Sequence, residues 1–275
     1  MRIAFQGEPG AYSEAAALQF AAGAVTVPCL SFDEVFTAVD GGSVTLGILP
    51  MENSIGGSIH RTYDLLVEHE LPIVGEVELL VDHCLLAAAG TAVGDLKVVY
   101  SHPQALAQCE QYLKGLEGVE IIAMYDTAGG AKMVADESST RAAAVASRRA
   151  AEVFNLEILA AGIQDYAANI TRFVVVGRTP APAASATKTS IVFSLKSTPG
   201  ALFKALSGFA LRDVNLTKLE SRPIRGRPWE YLFYVDVDMP RDSLACGRAI
   251  THLAEFSDWV RVLGSYPAAT RKVEL

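Results

Sequence analysis

The residue types in this sequence best suited to chemistry gather in a few short clusters. Asn169-Ile170-Thr171-Arg172-Phe173 sets a hydroxyl and a guanidinium at the mouth of an apolar run that continues to Gly177. Ligands bind at strand ends in α/β folds, so this pair either works on a ligand or simply faces water. Met51-Glu52-Asn53-Ser54 follows the apolar stretch 46–50, placing a carboxylate, a carboxamide and a hydroxyl side by side ahead of Gly56-Gly57. Glutamate is a poor turn former, which favours a working role, and the glycines let backbone N–H groups approach a ligand closely. In Ser101-His102-Pro103-Gln104 the serine reads as a helix cap and the proline as part of the first turn. Gln104 and Gln108 then fall on one helix face. His102 reads as a packed or solvated neighbour rather than a catalytic base. Gly7-Glu8-Pro9-Gly10-Ala11-Tyr12-Ser13 joins a strand to a helix from about residue 14, leaving N–H groups suited to a carboxylate. Its glycine spacing does not match the dinucleotide pattern. Asp126 and Thr127 read as helix caps.

These clusters must be positioned by alternating strands and helices. Apolar runs at 2–6, 25–28, 46–50, 97–100, 121–125 and 142–147 each lead toward a helical pattern. Extended crossings near 76–86 and again near 165–175 suggest two lobes with a cleft between them. Residues 178–186, rich in Pro, Ala and Ser, read as a linker. Beyond it the pattern is strand 189–195, helix 199–212 capped by Thr198, strands 215–222 and 229–236, helix 242–257 and strand 259–265. That order, βαββαβ, is ferredoxin-like, and such domains often pair edge to edge.

Composition excludes several classes of function. With 275 residues, 51% of them hydrophobic, the chain is long enough for two domains with substantial cores. The net charge of -8, with basic residues spread along the chain, argues against a nucleic-acid footprint or an anionic membrane surface. Cys29, Cys84, Cys109 and Cys246 form no CxxC pair, which points to free thiols in a reducing compartment. The histidines show no metal-binding spacing, and no apolar run approaches the ~18 residues of a membrane span. Met1 leads almost directly into a strand, leaving no room for a signal or transit peptide. A cytoplasmic location is expected, or a plastid if a transit peptide has been removed.

Together the Gly7–Ser13 turn, Pro50-Met51-Glu52-Asn53-Ser54-Ile55-Gly56-Gly57, Ser101-His102-Pro103-Gln104 with Gln108, and Thr171-Arg172-Phe173 resemble the prephenate dehydratase signature. The tail resembles that family's regulatory ACT domain, through Gly200-Ala201-Leu202 and Glu220-Ser221-Arg222-Pro223. Residues 204–212 and 262–267 also resemble the arogenate dehydratases of plants. The resemblance implies a two-lobed, periplasmic-binding-protein-like catalytic domain at 1–178, a linker at 179–187 and an ACT domain at 188–275. It implies a lyase that turns prephenate into phenylpyruvate with loss of carbon dioxide and water, or acts on arogenate, with no cofactor and no metal. By matching positions, Thr171 would donate to the leaving hydroxyl, and Glu52, held protonated, would act as general acid or polarise Thr171. Asn53, Ser54, Ser101, Gln108, Arg172 and Phe173 would bind or set the substrate. In the ACT domain phenylalanine would bind at Gly200, Ala201, Leu202, Asn215, Leu216, Glu220, Ser221, Arg222 and Pro223, in a homodimer or homotetramer. The rival from another class is a non-enzymatic amino-acid sensor, since two lobes around a cleft also describe solute-binding proteins.

Overall fold

The computed structural model describes residues 1–270, so the last five residues of the expected 188–275 domain lie outside it. The chain forms two compact units, one of residues 1–63 and 77–173, the other of residues 64–76 and 174–270. The first opens with β1 (Arg2–Gln6), α1 (Tyr12–Phe20), β2 (Val25–Cys29), α2 (Phe32–Asp40) and β3 (Leu46–Asn53). A two-residue strand, β4 (Gly57–Ser58), folds back on β3 ahead of α3 (His60–Glu68) and β5 (Ile73–Leu80). A second run follows, with β6 (Cys84–Ala87), β7 (Val98–Ser101), α4 (Pro103–Gln108), α5 (Glu110–Lys114), β8 (Glu120–Ala123) and α6 (Thr127–Glu137). It continues through β9 (Ala142–Ala146), α7 (Arg148–Phe154) and β10 (Glu157–Ala161), after which β11 (Ile170–Gly177) returns to the first sheet.

The sheet orders are β2-β1-β3-β11-β5 and β10-β6-β9-β7-β8. In the first, β1 lies parallel to both β2 and β3; in the second, β7 lies parallel to both β8 and β9. Each is a point where the connections diverge to opposite sides, and such points open a crevice at the carboxyl ends of the strands. The buried strands are read directly from their residues. Ile3, Ala4 and Phe5 of β1 are fully buried, and β9 is buried along its whole length by Ala and Val, as a strand covered on both faces requires.

The C-terminal sheet contains β12 (Lys188–Leu195), β13 (Leu216–Pro223), β14 (Tyr231–Val237) and β15 (Ser257–Tyr266), with α8 (Ala201–Ala210) and α9 (Leu244–Phe256) between them. Its order, β13-β14-β12-β15, is ferredoxin-like. Ala205 and Phe209 of α8 and Cys246, Ala249 and Leu253 of α9 recur at helical spacing and pack with Ile191, Phe193, Val235 and Val237 in one core.

Several sequence expectations shift. Strand β4 is only two residues long, and β10, apolar at four of its five positions, has no polar alternation to set it apart from the preceding helix. Strand β3 runs past Pro50 to Asn53 and β11 begins at Ile170, so both polar clusters lie inside strands rather than in loops. His102, not Ser101, caps α4, its Nδ1 accepting from the Gln104 N–H at 3.2 Å. Gly200 at φ 71°, not Thr198, caps α8. Cys84, Cys109 and Cys246 are buried free thiols; burial lifts Cys84 to about 11 and Cys109 to about 12.

A buried ion pair marks the second unit: Lys188 Nζ lies 2.7 Å from Glu76 Oε1, which also accepts from the Ala269 N–H at 2.9 Å. Removing one member of such a pair leaves charge in a dry site. Lys188→Met should therefore lower unfolding free energy by about 3–5 kcal/mol in urea titrations. A change within about 0.5 kcal/mol, as at ordinary surface sites, would show the pair to be dispensable.

Candidate active site

A cavity of about 360 Å³ opens in the first unit where the diverging strands end. Its lining draws Tyr12 and Ser13 from the start of α1, Asn53 from the end of β3, and Gly56 to Ile59 from the β3–β4 hairpin. His83, His102, Gln104, Gln108, Thr127, Thr171 and Phe173 complete its polar and aromatic walls. The first turns of α1 and α6 therefore face it, and the positive ends of two helices favour an anion there. No Asp, Glu, Lys or Arg is among its lining residues. Gly56 packs close to Gln104: a Cβ there would sit 2.3 Å from Nε2, the far end of a flexible side chain that can swing aside. Gly10, at φ 93°, brings the turn so close to α7 that a Cβ would meet Ala150 Cα at 2.8 Å.

The centre of the site is the junction of β3 and β11. Ser54 N–H donates to Ile170 O at 2.8 Å, and Ser54 Oγ donates to Ala168 O and accepts from Ile170 N–H, both at 2.9 Å. Clasped in this way, Asn53 is fixed by its own loop: Oδ1 accepts from the N–H groups of Ile55 at 3.0 Å and Gly56 at 2.7 Å. Those two donors identify the oxygen end of the amide. Its Nδ2 then donates to Thr171 Oγ1 at 2.9 Å and to Asn169 Oδ1 at 2.7 Å. The fully buried Asn169 donates in turn to Gln108 Oε1 at 2.8 Å. Gln108 Oε1 also meets His83 Nε2 at 2.9 Å, and His83 Nδ1 lies 2.8 Å from the Tyr12 hydroxyl.

Strand geometry sorts the sequence candidates into two sets. Side chains alternate across a strand, so neighbours in sequence face opposite ways. Asn53, Thr171 and Phe173 line the cavity; Glu52 and Arg172 do not. Instead the Arg172 guanidinium reaches Glu52 Oε1 at 2.8 Å. Glu52, expected to give a proton to the leaving group, is engaged by Arg172 and is not among the cavity's lining residues. Arg172, expected to set the substrate, is engaged by Glu52 in the same way. Ser54 is the clasp just described, and Ser101, fully buried, spends its hydroxyl on Val145 O at 2.6 Å. Gln108 lines the cavity.

A second cavity, of about 500 Å³, lies in the C-terminal unit, lined by Thr198, Gly200, Ala201, Leu202, Tyr231 and Phe233 among others. Gly200, Ala201 and Leu202 form part of its wall. Asn215, Leu216, Glu220, Ser221, Arg222 and Pro223 are not among its lining residues. They belong to β13 and its approach, the sheet's edge strand, where Arg222 pairs with Asp64 at 3.1 Å.

Residues 3–181 match the model of the prephenate dehydratase family, and residues 189–245 match the ACT domain. The chain belongs to the prephenate dehydratase family. It is 51% identical over 281 residues to the chloroplastic arogenate dehydratase/prephenate dehydratase 2 of Arabidopsis thaliana, covering 98% of this chain and 74% of that one. Arogenate dehydratase 2 of Petunia hybrida is 49% identical over 284 residues, covering 98% and 72%. Among solved structures, the prephenate dehydratase of Arthrobacter aurescens in complex with L-Phe superposes with a TM-score of 0.89 at 30% identity, covering 100% of this chain and 92% of that one. GqqA, a quorum-quenching acylase, superposes with a TM-score of 0.92 at 39% identity, covering 99% and 100%.

Within this member of the prephenate dehydratase family, His83 and Tyr12 are site residues that sequence reasoning missed. The available signal was a histidine inside the apolar extended run 79–86, since a buried imidazole needs partners. Burial pushes His83 below its ordinary value, against opposing pulls from Gln108 and Asp82. The unfolded chain takes up a proton on this histidine near pH 6.5 and the folded one only at lower pH. Its contribution therefore weakens the fold as pH falls below about 6.5 and levels off below the folded value. The melting temperature of His83→Gln should fall less than the parent's between about pH 7 and pH 5. Parallel declines would show that His83 is not held neutral.

Proposed function

We propose that this chain catalyses the decarboxylating dehydration of prephenate to phenylpyruvate. The carboxylate carbon–ring bond breaks, its electron pair enters the ring, and the ring carbon–oxygen bond breaks opposite. Carbon dioxide leaves, and the hydroxyl departs with one added proton as water. Aromatisation supplies the driving force, so the protein must orient the substrate, assist the departing oxygen and exclude water. The observation that carries this reading is the bond from Asn53 Nδ2 to Thr171 Oγ1. Because Oγ1 accepts there, the Thr171 hydrogen is left to donate to the leaving hydroxyl, and Asn53 makes it a better donor. A threonine hydroxyl is too weak an acid to release the proton itself. His102, half-buried at the head of α4 and lining the same cavity, is the side chain we assign to deliver it. Phe173 packs beneath the ring, and Gln108 and the helix N-termini of α1 and α6 hold carboxylates.

The names of the plant relatives favour arogenate as a second reading. The lining supports the keto acid, because the ammonium of arogenate would meet neutral groups there and no carboxylate. Acyl transfer of the kind named for GqqA needs a hydroxyl paired with a base. Thr171 is instead bonded to an amide N–H, an arrangement suited to donation. A pure sensor would have no use for that donor.

We propose that residues 1–178 form the catalytic part, joined by 179–187 to a regulatory ACT domain from 188 onward, and that phenylalanine is the effector. The L-Phe complex of the Arthrobacter protein supports the effector. Gly200, Ala201 and Leu202 would hold it, with Asn215, Leu216 and Glu220 to Pro223 supplied across edge strand β13 by a second copy. Leu219 on that strand is 48% exposed, an open edge that supports a homodimer, or a homotetramer built from it. Free cysteines support a reducing compartment, the cytoplasm or, by analogy with the chloroplastic relatives, a plastid.

Turnover of prephenate and arogenate should be measured side by side, with and without phenylalanine. Prephenate should be preferred and phenylalanine should suppress it; preference for arogenate would transfer the same chemistry to the second reading. Thr171→Ala should lower kcat by about 100- to 1,000-fold, and Thr171→Ser should recover most of it. Near-parent turnover by Thr171→Ala would remove Thr171 from the mechanism.

A further inference from the structure

The hydrogen bonds around Thr171 form a chain whose direction is set at one end. We propose that His83, held as the neutral tautomer with its proton on Nε2, is a positioning residue that locks this chain and thereby aims the Thr171 hydroxyl at the substrate. The inference rests on Thr171 as the donor to the leaving group. Its geometry, however, stands independently of which substrate is turned over.

Each link follows from the one before. Two backbone N–H groups occupy Asn53 Oδ1, so the Asn53 amide can only donate from Nδ2, to Thr171 Oγ1 and Asn169 Oδ1. Asn169, with Oδ1 accepting, must donate from Nδ2, and Gln108 Oε1 receives it. A carbonyl oxygen only accepts, so the His83 nitrogen 2.9 Å away must carry hydrogen. A neutral imidazole then has a bare Nδ1, which the Tyr12 hydroxyl meets at 2.8 Å. Of the two neutral tautomers only this one satisfies the whole series, with the Tyr12 hydroxyl, which also lies 3.1 Å from Asp82 O, donating to Nδ1 at the shorter distance. His83 is 2% exposed, its backbone N–H is anchored to Gln164 Oε1 at 2.9 Å and both ring nitrogens have partners, so the ring is held in place rather than merely packed.

The consequence for Thr171 is directional. If the His83 N–H is lost, Gln108 Oε1 loses one of its two donors and the amide can rotate. Asn169 and then Asn53 lose their fixed orientation. Thr171 is free to turn its hydrogen inward, toward an amide oxygen, and the leaving hydroxyl loses its donor. Such a change affects the chemical step more than the binding of substrate, because the helix N-termini of α1 and α6 still hold the carboxylates.

The test combines kinetics with a tautomer measurement. His83→Leu should lower kcat about tenfold or more, the worth of one buried hydrogen bond, while KM stays near the parent value. His83→Gln, which retains a donor near the Nε2 position, should recover most of that loss. A smaller fall in kcat, a loss expressed in KM instead, or equal losses in both variants would overturn the proposal. Side-chain ¹⁵N spectra of the parent, with His83 identified by its absence in His83→Gln, should show protonated Nε2 and bare Nδ1 at neutral pH. The opposite tautomer or an imidazolium would overturn it even if His83→Leu fails to fold. Should the parent turn over neither prephenate nor arogenate, the functional reading fails, while the spectra still decide the hydrogen-bond chain.

Discussion

The site depends on one carboxamide whose orientation is imposed by its own hairpin. Asn53 is the last residue of β3, and the β3–β4 turn aims two N–H groups at its oxygen. A free asparagine can present either end of its amide to a neighbour; this one cannot. Thr171 therefore meets a donor and becomes a donor itself, and Asn169 and Gln108 inherit their orientations in sequence. Each of these groups is buried or half-buried, where an unmade hydrogen bond is costly, so the chain is satisfied as a unit or not at all.

The fold supplies what that junction requires. β11 enters the first sheet beside β3 only after the chain has built the second sheet, so Asn169 and Thr171 reach Asn53 across 116 and 118 residues of sequence. The same route carries His83 and Gln108 to the other side of the cavity. Points where parallel connections diverge leave the carboxyl ends of β1 and β7 uncovered, and helices begin there. Backbone N–H groups are therefore available without recruiting charged side chains.

Much of this was legible in the sequence, and the misses share a cause. The clusters around Asn53, Gln108 and Thr171 marked the right strand ends because polar residues interrupting apolar runs are conspicuous. Glu52 and Arg172 are conspicuous for the same reason, but the apolar runs by themselves end at Pro50 and begin at Phe173. Once β3 reaches Asn53 and β11 starts at Ile170, the period of two divides each cluster between opposite faces. Adjacent residues in a loop can share a ligand; adjacent residues in a strand rarely do. His83 had no such local cluster. Its partners lie 25 and 71 residues away, and only the assembled fold brings them together.

A cavity lined by no arginine or lysine is also the chemically sensible one for the proposed reaction. A guanidinium or ammonium clamped on the departing carboxylate would stabilise the negative charge that must flow into the ring, and so oppose its loss. Helix N-termini and amides bind the anion more gently and leave the electron pair free to move. Arg172 illustrates the constraint: the one cation beside Thr171 in sequence is turned from the cavity and paired with Glu52. The pair also keeps a carboxylate away from an anionic substrate. Strand alternation thus does more than bury β11. It leaves Arg172 off the cavity lining in space, although it is next to Thr171 in sequence.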